Sequence, residues 1–131
     1  MPSAPPPPPP PTESEFAILR VLWREGPCTV RKVRRHLGEK SGYTTVLKFL
    51  QIMFEKNLVR RDDSAVTHIY EAAVDESTTK QNLVGTLIDR AFAGSAAELV
   101  QRALSARPVS ADELRAIRKL LAETAKKQIS K

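Results

Sequence analysis

Gly26-Pro27, Ser41-Gly42 and Asp62-Asp63-Ser64 divide residues 12–75 into pieces of only a few helical turns each. No long helix passes Gly26-Pro27, because glycine accepts φ > 0 there and proline lacks the amide that continues the ladder. The pieces between these breaks keep helical periodicity up to residue 56 and strand character after it. Upstream, Thr12-Glu13-Ser14-Glu15 has the form of a capping box, in which hydroxyl and carboxylate satisfy the first free amides of a helix. Phe16, Leu19, Val21, Leu22 and Trp23 follow at largely helical spacing. A second helix is predicted from Thr29 as N-cap through Val30, Val33 and Leu37 to Gly38, and a third from Tyr43 to Lys56.

Projected at about 100° per residue, the third helix divides cleanly. Val46, Phe49, Leu50 and Met53 recur at i, i+3, i+4 and i+7, the pattern of a core face. Thr44, Lys48, Gln51 and Glu55 lie opposite, with Thr45 and Ile52 on one flank and Leu47 on the other. Leu58-Val59-Arg60-Arg61 and Thr67-His68-Ile69-Tyr70-Glu71-Ala72 then read as strands joined by Asp62-Asp63-Ser64. Three helices followed by a hairpin is the order of a winged helix-turn-helix domain, here residues 12–75, in a mainly α chain.

Residues 76–131 carry three more helical patterns. Leu83, Val84, Leu87, Ile88, Ala91 and Phe92 make one stripe that ends at Gly94. Ser95-Ala96-Ala97-Glu98 and Ser110-Ala111-Asp112-Glu113 read as further capping boxes, opening helices with Leu99, Val100, Ala103 and Leu104, then Leu114, Ile117, Leu120 and Leu121. Three short helices enclose too little volume for a core of their own. The expected partner surface is a second copy, with Leu83, Val84, Leu87, Ile88, Phe92, Leu99, Val100, Leu114, Ile117, Leu120 and Leu121 at a homodimer interface.

Charge locates the chemistry. The chain nets +6, but the window Arg31–Arg61 holds nine basic residues (Arg31, Lys32, Arg34, Arg35, Lys40, Lys48, Lys56, Arg60, Arg61) against Glu39 and Glu55. That window nets +7 and everything else −1, a localised polyanion footprint. Nothing in the chain favours catalysis: no Ser, His and acidic trio has recognisable context, and no glycine loop would cradle phosphate. Cys28, His36 and His68 are dispersed without metal-ligand spacing, so neither metal nor other cofactor is expected, and Cys28 reads as a buried thiol. No apolar run is long enough to span a bilayer, and residues 1–11 lack the apolar stretch of a secretion signal. A cytoplasmic protein is expected. Residues 1–11 end in seven prolines, Pro5 to Pro11, an extended polyproline II tail that is either plain solvated chain or a ligand for a partner.

In a helix-turn-helix the N-terminal part of the third helix enters the major groove. That places Thr44, Thr45, Lys48 and Gln51 at base edges, with Ser41, Tyr43 and Leu47 beside them. Threonine touches phosphate, base or thymine methyl, glutamine bonds an adenine edge, and lysine a guanine or phosphate. Arg31, Arg34 and Arg35 of the second helix, and Arg60, Arg61 and His68 of the wing, are the backbone-positioning candidates. Asp62 and Asp63 weaken the wing's attraction for phosphate. The competing reading is a winged-helix protein-interaction module, with Leu47 and Ile52 in an apolar contact surface.

Thr12 to Trp23 with Gly26-Pro27, then Val30, Tyr43-Thr44-Thr45-Val46-Leu47 and Leu58-Val59-Arg60-Arg61, resemble the BlaI/MecI penicillinase-repressor family. The resemblance continues through Ile69-Tyr70, Phe92-Ala93-Gly94-Ser95, Leu99-Val100 and Ser110-Ala111-Asp112-Glu113-Leu114, to about Lys126. It implies a repressor of β-lactamase, penicillin-binding or metal-homeostasis genes that binds inverted repeats, commonly with TACA/TGTA half-sites, as a dimer. Thr44, Thr45 and Lys48 match the family's groove-facing set, and Ile52 stands where many members have arginine. Antibiotic-responsive members are cut at an Asn-Phe bond by a sensor-linked protease. The matching pair here is Arg102-Ala103, so that induction route and its partner are not implied, and a copper-sensing cysteine motif is absent.

Overall fold

The computed structural model describes residues 10–38 and 41–129. Most of the proline tail, together with Glu39 and Lys40, lies outside the described residues. The element order is α1 (Glu13–Glu25), β1 (Cys28–Thr29), α2 (Val30–Leu37), α3 (Tyr43–Glu55), β2 (Val59–Asp62), β3 (Ile69–Ala72), α4 (Glu76–Ala91), α5 (Ala96–Ala106) and α6 (Ala111–Ile129). Two compact units result, Met1–Gly85 and Thr86–Lys131. They divide inside α4.

The predicted box at the start of α1 is present in both arms. Glu15 N–H donates to Thr12 Oγ1 at 3.2 Å, and Thr12 N–H donates to Glu15 Oε1 at 2.9 Å. Gly26 ends the helix at φ 78°, in the left-handed region where a side chain is penalised. Thr29 caps α2 by accepting from Lys32 N–H at 3.2 Å. The helix-turn-helix pair, α2 and α3, packs together and on α1.

The core of the first unit joins Ile18, Leu19 and Leu22 of α1, Val33 of α2, Val46, Leu50 and Met53 of α3, and Leu58, Val59 and Tyr70 around the hairpin. Ile18, absent from the predicted stripe, is buried, whereas Phe16 and Trp23 are only partly covered. Those two rings meet edge-on, with centroids 5.6 Å apart, and Trp23 Nε1 donates to Val74 O at 2.9 Å. Phe49, expected in the core, packs against its rim.

The hairpin differs from expectation in its ends and in its company. Leu58 precedes β2 rather than opening it, and β3 begins at Ile69 rather than Thr67. Leu58 is instead held in the turn after α3, where its N–H donates to Met53 O at 2.9 Å and Asn57 takes φ 64°. A third strand was not foreseen: β1 pairs antiparallel with β3, Cys28 opposite Tyr70 and Thr29 opposite Ile69, so the sheet order is β1-β3-β2. A two-residue strand has no periodicity of its own, and only the edge of β3 defines it.

At the end of α4, Gly94 N–H donates to Ile88 O at 3.0 Å with φ 85°, the predicted glycine stop. Ser95 and Ser110 accept from the amides of Glu98 and Glu113 at 3.0 and 3.1 Å. Neither makes the return bond from the glutamate, so these are single serine caps. The complete box is formed only at Thr12–Glu15 among the described residues. In α5 and α6 no residue is buried.

Candidate nucleic-acid interface

One face of α3 closes the core and the other is open. Val46, Leu50 and Met53 are at most 1 % exposed, which fixes the rotation of the helix about its axis. Thr44, Thr45, Lys48, Gln51 and Glu55 are consequently exposed, and Tyr43 is exposed at the first turn. Leu47 and Ile52 sit half-buried between the two faces, with Leu47 packed against the core. Their partial burial leaves little apolar surface for the competing protein-contact reading.

No side chain caps α3. Gly42 is the N-cap and makes no side-chain hydrogen bond, so Ser41, Thr44 and Thr45 are not consumed as caps. The first amides of the helix point outward with the positive end of its dipole.

Arg31, Arg34, Arg35, Gly38 and Tyr43 line one open concavity of about 870 Å³ between α2 and the start of α3. Arg34 also does structural service, because its Nε donates to the Ser41 carbonyl at 3.1 Å and braces the turn. Among the described residues no carboxylate pairs with Arg31, Arg35 or Lys48. Gly38, at φ 90°, was not a predicted site residue. Its one sequence signal is its place just after the helix.

Three other cations of the basic window, Lys56, Arg60 and Arg61, are already engaged. Lys56 Nζ lies 2.9 Å from Glu15 Oε2, and the Glu15 side chain is 2 % exposed. Burial alone would push the Glu15 carboxyl up. The Thr12 amide and Lys56 outweigh it, and the group is held below its ordinary value of 4.5. This pair ties the start of α1 to the end of α3, so Lys56 is a structural cation. On the hairpin, Arg60 Nε donates to Glu71 Oε1 at 3.0 Å, across the register that sets the two opposite each other. Arg61 Nε is 2.6 Å from Asp63 Oδ1, with its guanidinium 4.3 Å above the Phe54 ring. His68, exposed near the same turn, has Nδ1 3.6 Å from that Asp63 oxygen. The predicted site residues therefore fall into an open set on α2 and α3 and a set on the wing that lies against carboxylates of the same chain.

The penicillinase-repressor family model matches residues 11–123. The chain belongs to that family. No curated protein matches it significantly. One solved structure supports the fold. A mutant MarR from E. coli superposes with a TM-score of 0.51 at 14 % identity, covering 87 % of this chain and 77 % of that one. A probable transcriptional regulator from Pseudomonas aeruginosa gives 0.46 at 22 % identity, over 86 % and 77 %. RosR of H. salinarum gives 0.47 at 19 %, over 88 % and 94 %. As a penicillinase-repressor family member the chain is a DNA-binding transcriptional regulator of winged-helix fold, with three further helices after the wing. No described helix is long and apolar enough to cross a membrane.

Proposed function

We propose that two copies of this chain bind a palindromic operator in the cytoplasm and block transcription from it. The observation that carries this reading is the open face of α3. A helix locked into the core at Val46, Leu50 and Met53 presents Thr44, Thr45, Lys48 and Gln51 together, beside a concavity lined by Arg31, Arg34 and Arg35. Groove insertion would put the four polar side chains at base edges and the arginines against the flanking phosphates.

Pairing is supported by the second unit's apolar residues. Leu87, Leu120 and Leu121 are 47, 60 and 59 % exposed in the single chain, and large apolar side chains exposed together mark a surface that meets a partner. Val100 and Leu114 are exposed with them, as are Leu83 and Val84 of the first unit's part of α4, and Ile88, Phe92, Leu99 and Ile117 are half-covered. A dimer built on these helices would hold two α3 helices at a fixed separation. A spacing of about 34 Å, or a multiple, admits both to one side of a duplex.

Selection of bound fragments from genomic DNA tests the reading, and is expected to return an inverted repeat. Lys48→Ala should then weaken binding to the selected fragment by about 1–3 kcal/mol, in a titration at constant salt. Unchanged affinity would remove Lys48 from the reading surface.

A further inference from the structure

The basic side chains of the wing each have a carboxylate of the same chain against them. Arg60 faces Glu71 across the strand pair, while Arg61 and His68 converge on Asp63. Asp63 is half exposed and Arg61 is three-quarters covered, with that carboxylate near its Nε and the Phe54 ring beside its guanidinium. The neighbouring acid has a different occupation. Asp62 Oδ1 accepts from Ser64 N–H at 2.9 Å and builds the turn, and the Ser64 hydroxyl, with that amide, holds its carboxyl below the ordinary value. Two adjacent aspartates of equal charge thus differ in what they touch: one shapes backbone, the other holds the Arg61 guanidinium.

We infer that Asp63 is an internal competitor for the DNA backbone, a carboxylate that occupies the wing's arginine in place of a phosphate and holds down sequence-independent affinity. The inference rests on the DNA-binding reading above. A pair whose carboxylate is half exposed is weak, so a phosphate brought up by α3 displaces Asp63 at a cost that every duplex meets. Because phosphate contacts carry no sequence information, an intramolecular carboxylate that competes with them lowers affinity for a selected and a random duplex alike.

The test compares Asp63→Asn, Asp62→Asn and Asp63→Glu in the full chain. The probes are a fragment the wild-type protein has itself selected and a random-sequence duplex of equal length. Each neutral variant removes one negative charge from the same turn, and asparagine at 62 can still accept from Ser64. For Asp63→Asn, the plot of log affinity against log salt should steepen by about 1, the value for one more neutralised phosphate. Affinity for both duplexes should rise about two- to fivefold. Asp62→Asn should show a smaller change, and Asp63→Glu should keep the wild-type slope. Equal effects of the two neutral variants would reduce the finding to net charge and overturn the inference, as would an unchanged slope in Asp63→Asn. Failure of the wild-type chain to bind any duplex at low salt would instead sink the DNA reading, and the inference with it.

Discussion

The two units of this chain bury their apolar residues in opposite ways. In Met1–Gly85, Leu19, Val33, Leu50, Met53 and Tyr70 are wholly enclosed by α1, α2, α3 and the sheet. In Thr86–Lys131, α5 and α6 have good caps and clear stripes, yet no residue of either is buried. Capping and periodicity make a helix, but only a second surface makes a core. The first unit finds that surface within one chain. The second presents its own outward.

The difference predicts unequal responses to damage. The largest effect is expected from Leu120→Asp. A charge placed in the proposed pairing surface should release monomers in analytical sedimentation and lower operator affinity by about a hundredfold or more, the loss expected when a linked second site is removed. Dimers surviving that change would take Leu120 out of the interface. A related readout needs no mutation: amide protection in α5 and α6 should rise with protein concentration, since assembly stabilises only what it covers. Protection of α1 and α3 should stay constant, and parallel behaviour of the two units would erase the contrast.

Inside the first unit, Leu50→Ala should lower unfolding stability by about 2–5 kcal/mol, the usual loss when a buried leucine leaves a cavity. Chemical denaturation measures it, and an effect below about 1 kcal/mol would show that the enclosed core is loosely packed.

Smaller again is the buried ion pair. Lys56→Met leaves Glu15 enclosed without its cation and should cost about 2–3 kcal/mol, less than a fully buried pair because Lys56 is one-third exposed. Glu15 is held below its ordinary carboxyl value of 4.5. Its contribution is therefore complete above that value and declines as pH falls through the depressed one. Stability of the wild-type should drop on acidification below about pH 4.5, and Glu15→Gln should flatten that part of the profile. The same acid slope in both proteins would assign the loss to other carboxylates.

Much of this organisation was legible because it is local. Thr12, Thr29, Gly26 and Gly94 act on neighbours within a turn or two of chain, so the helix ends could be read from adjacent types. The open face of α3 followed from spacing alone, with Val46, Leu50 and Met53 placing Thr44, Lys48 and Gln51 opposite. What escaped was set by distant partners. Lys56 looked like part of the polyanion footprint until Glu15, 41 positions away, was found against it. β1 exists only because β3 passes beside Cys28 and Thr29. Glu71 was read as strand, and the register opposite Arg60 is what makes it that residue's counter-ion. Composition counts charges, but folding decides which remain available.

Thr29 belongs to two elements at once, closing the pairing of β1 with β3 and capping α2. Chain length at that point is therefore inelastic. One residue inserted between Thr29 and Val30 would turn α2 by about 100° and swing Arg31, Arg34 and Arg35 off their surface. Additions between Ser64 and Thr67 would lengthen only a solvent-facing tip. Evolution of this scaffold is accordingly free to redraw the outer end of the hairpin, while its root must keep count.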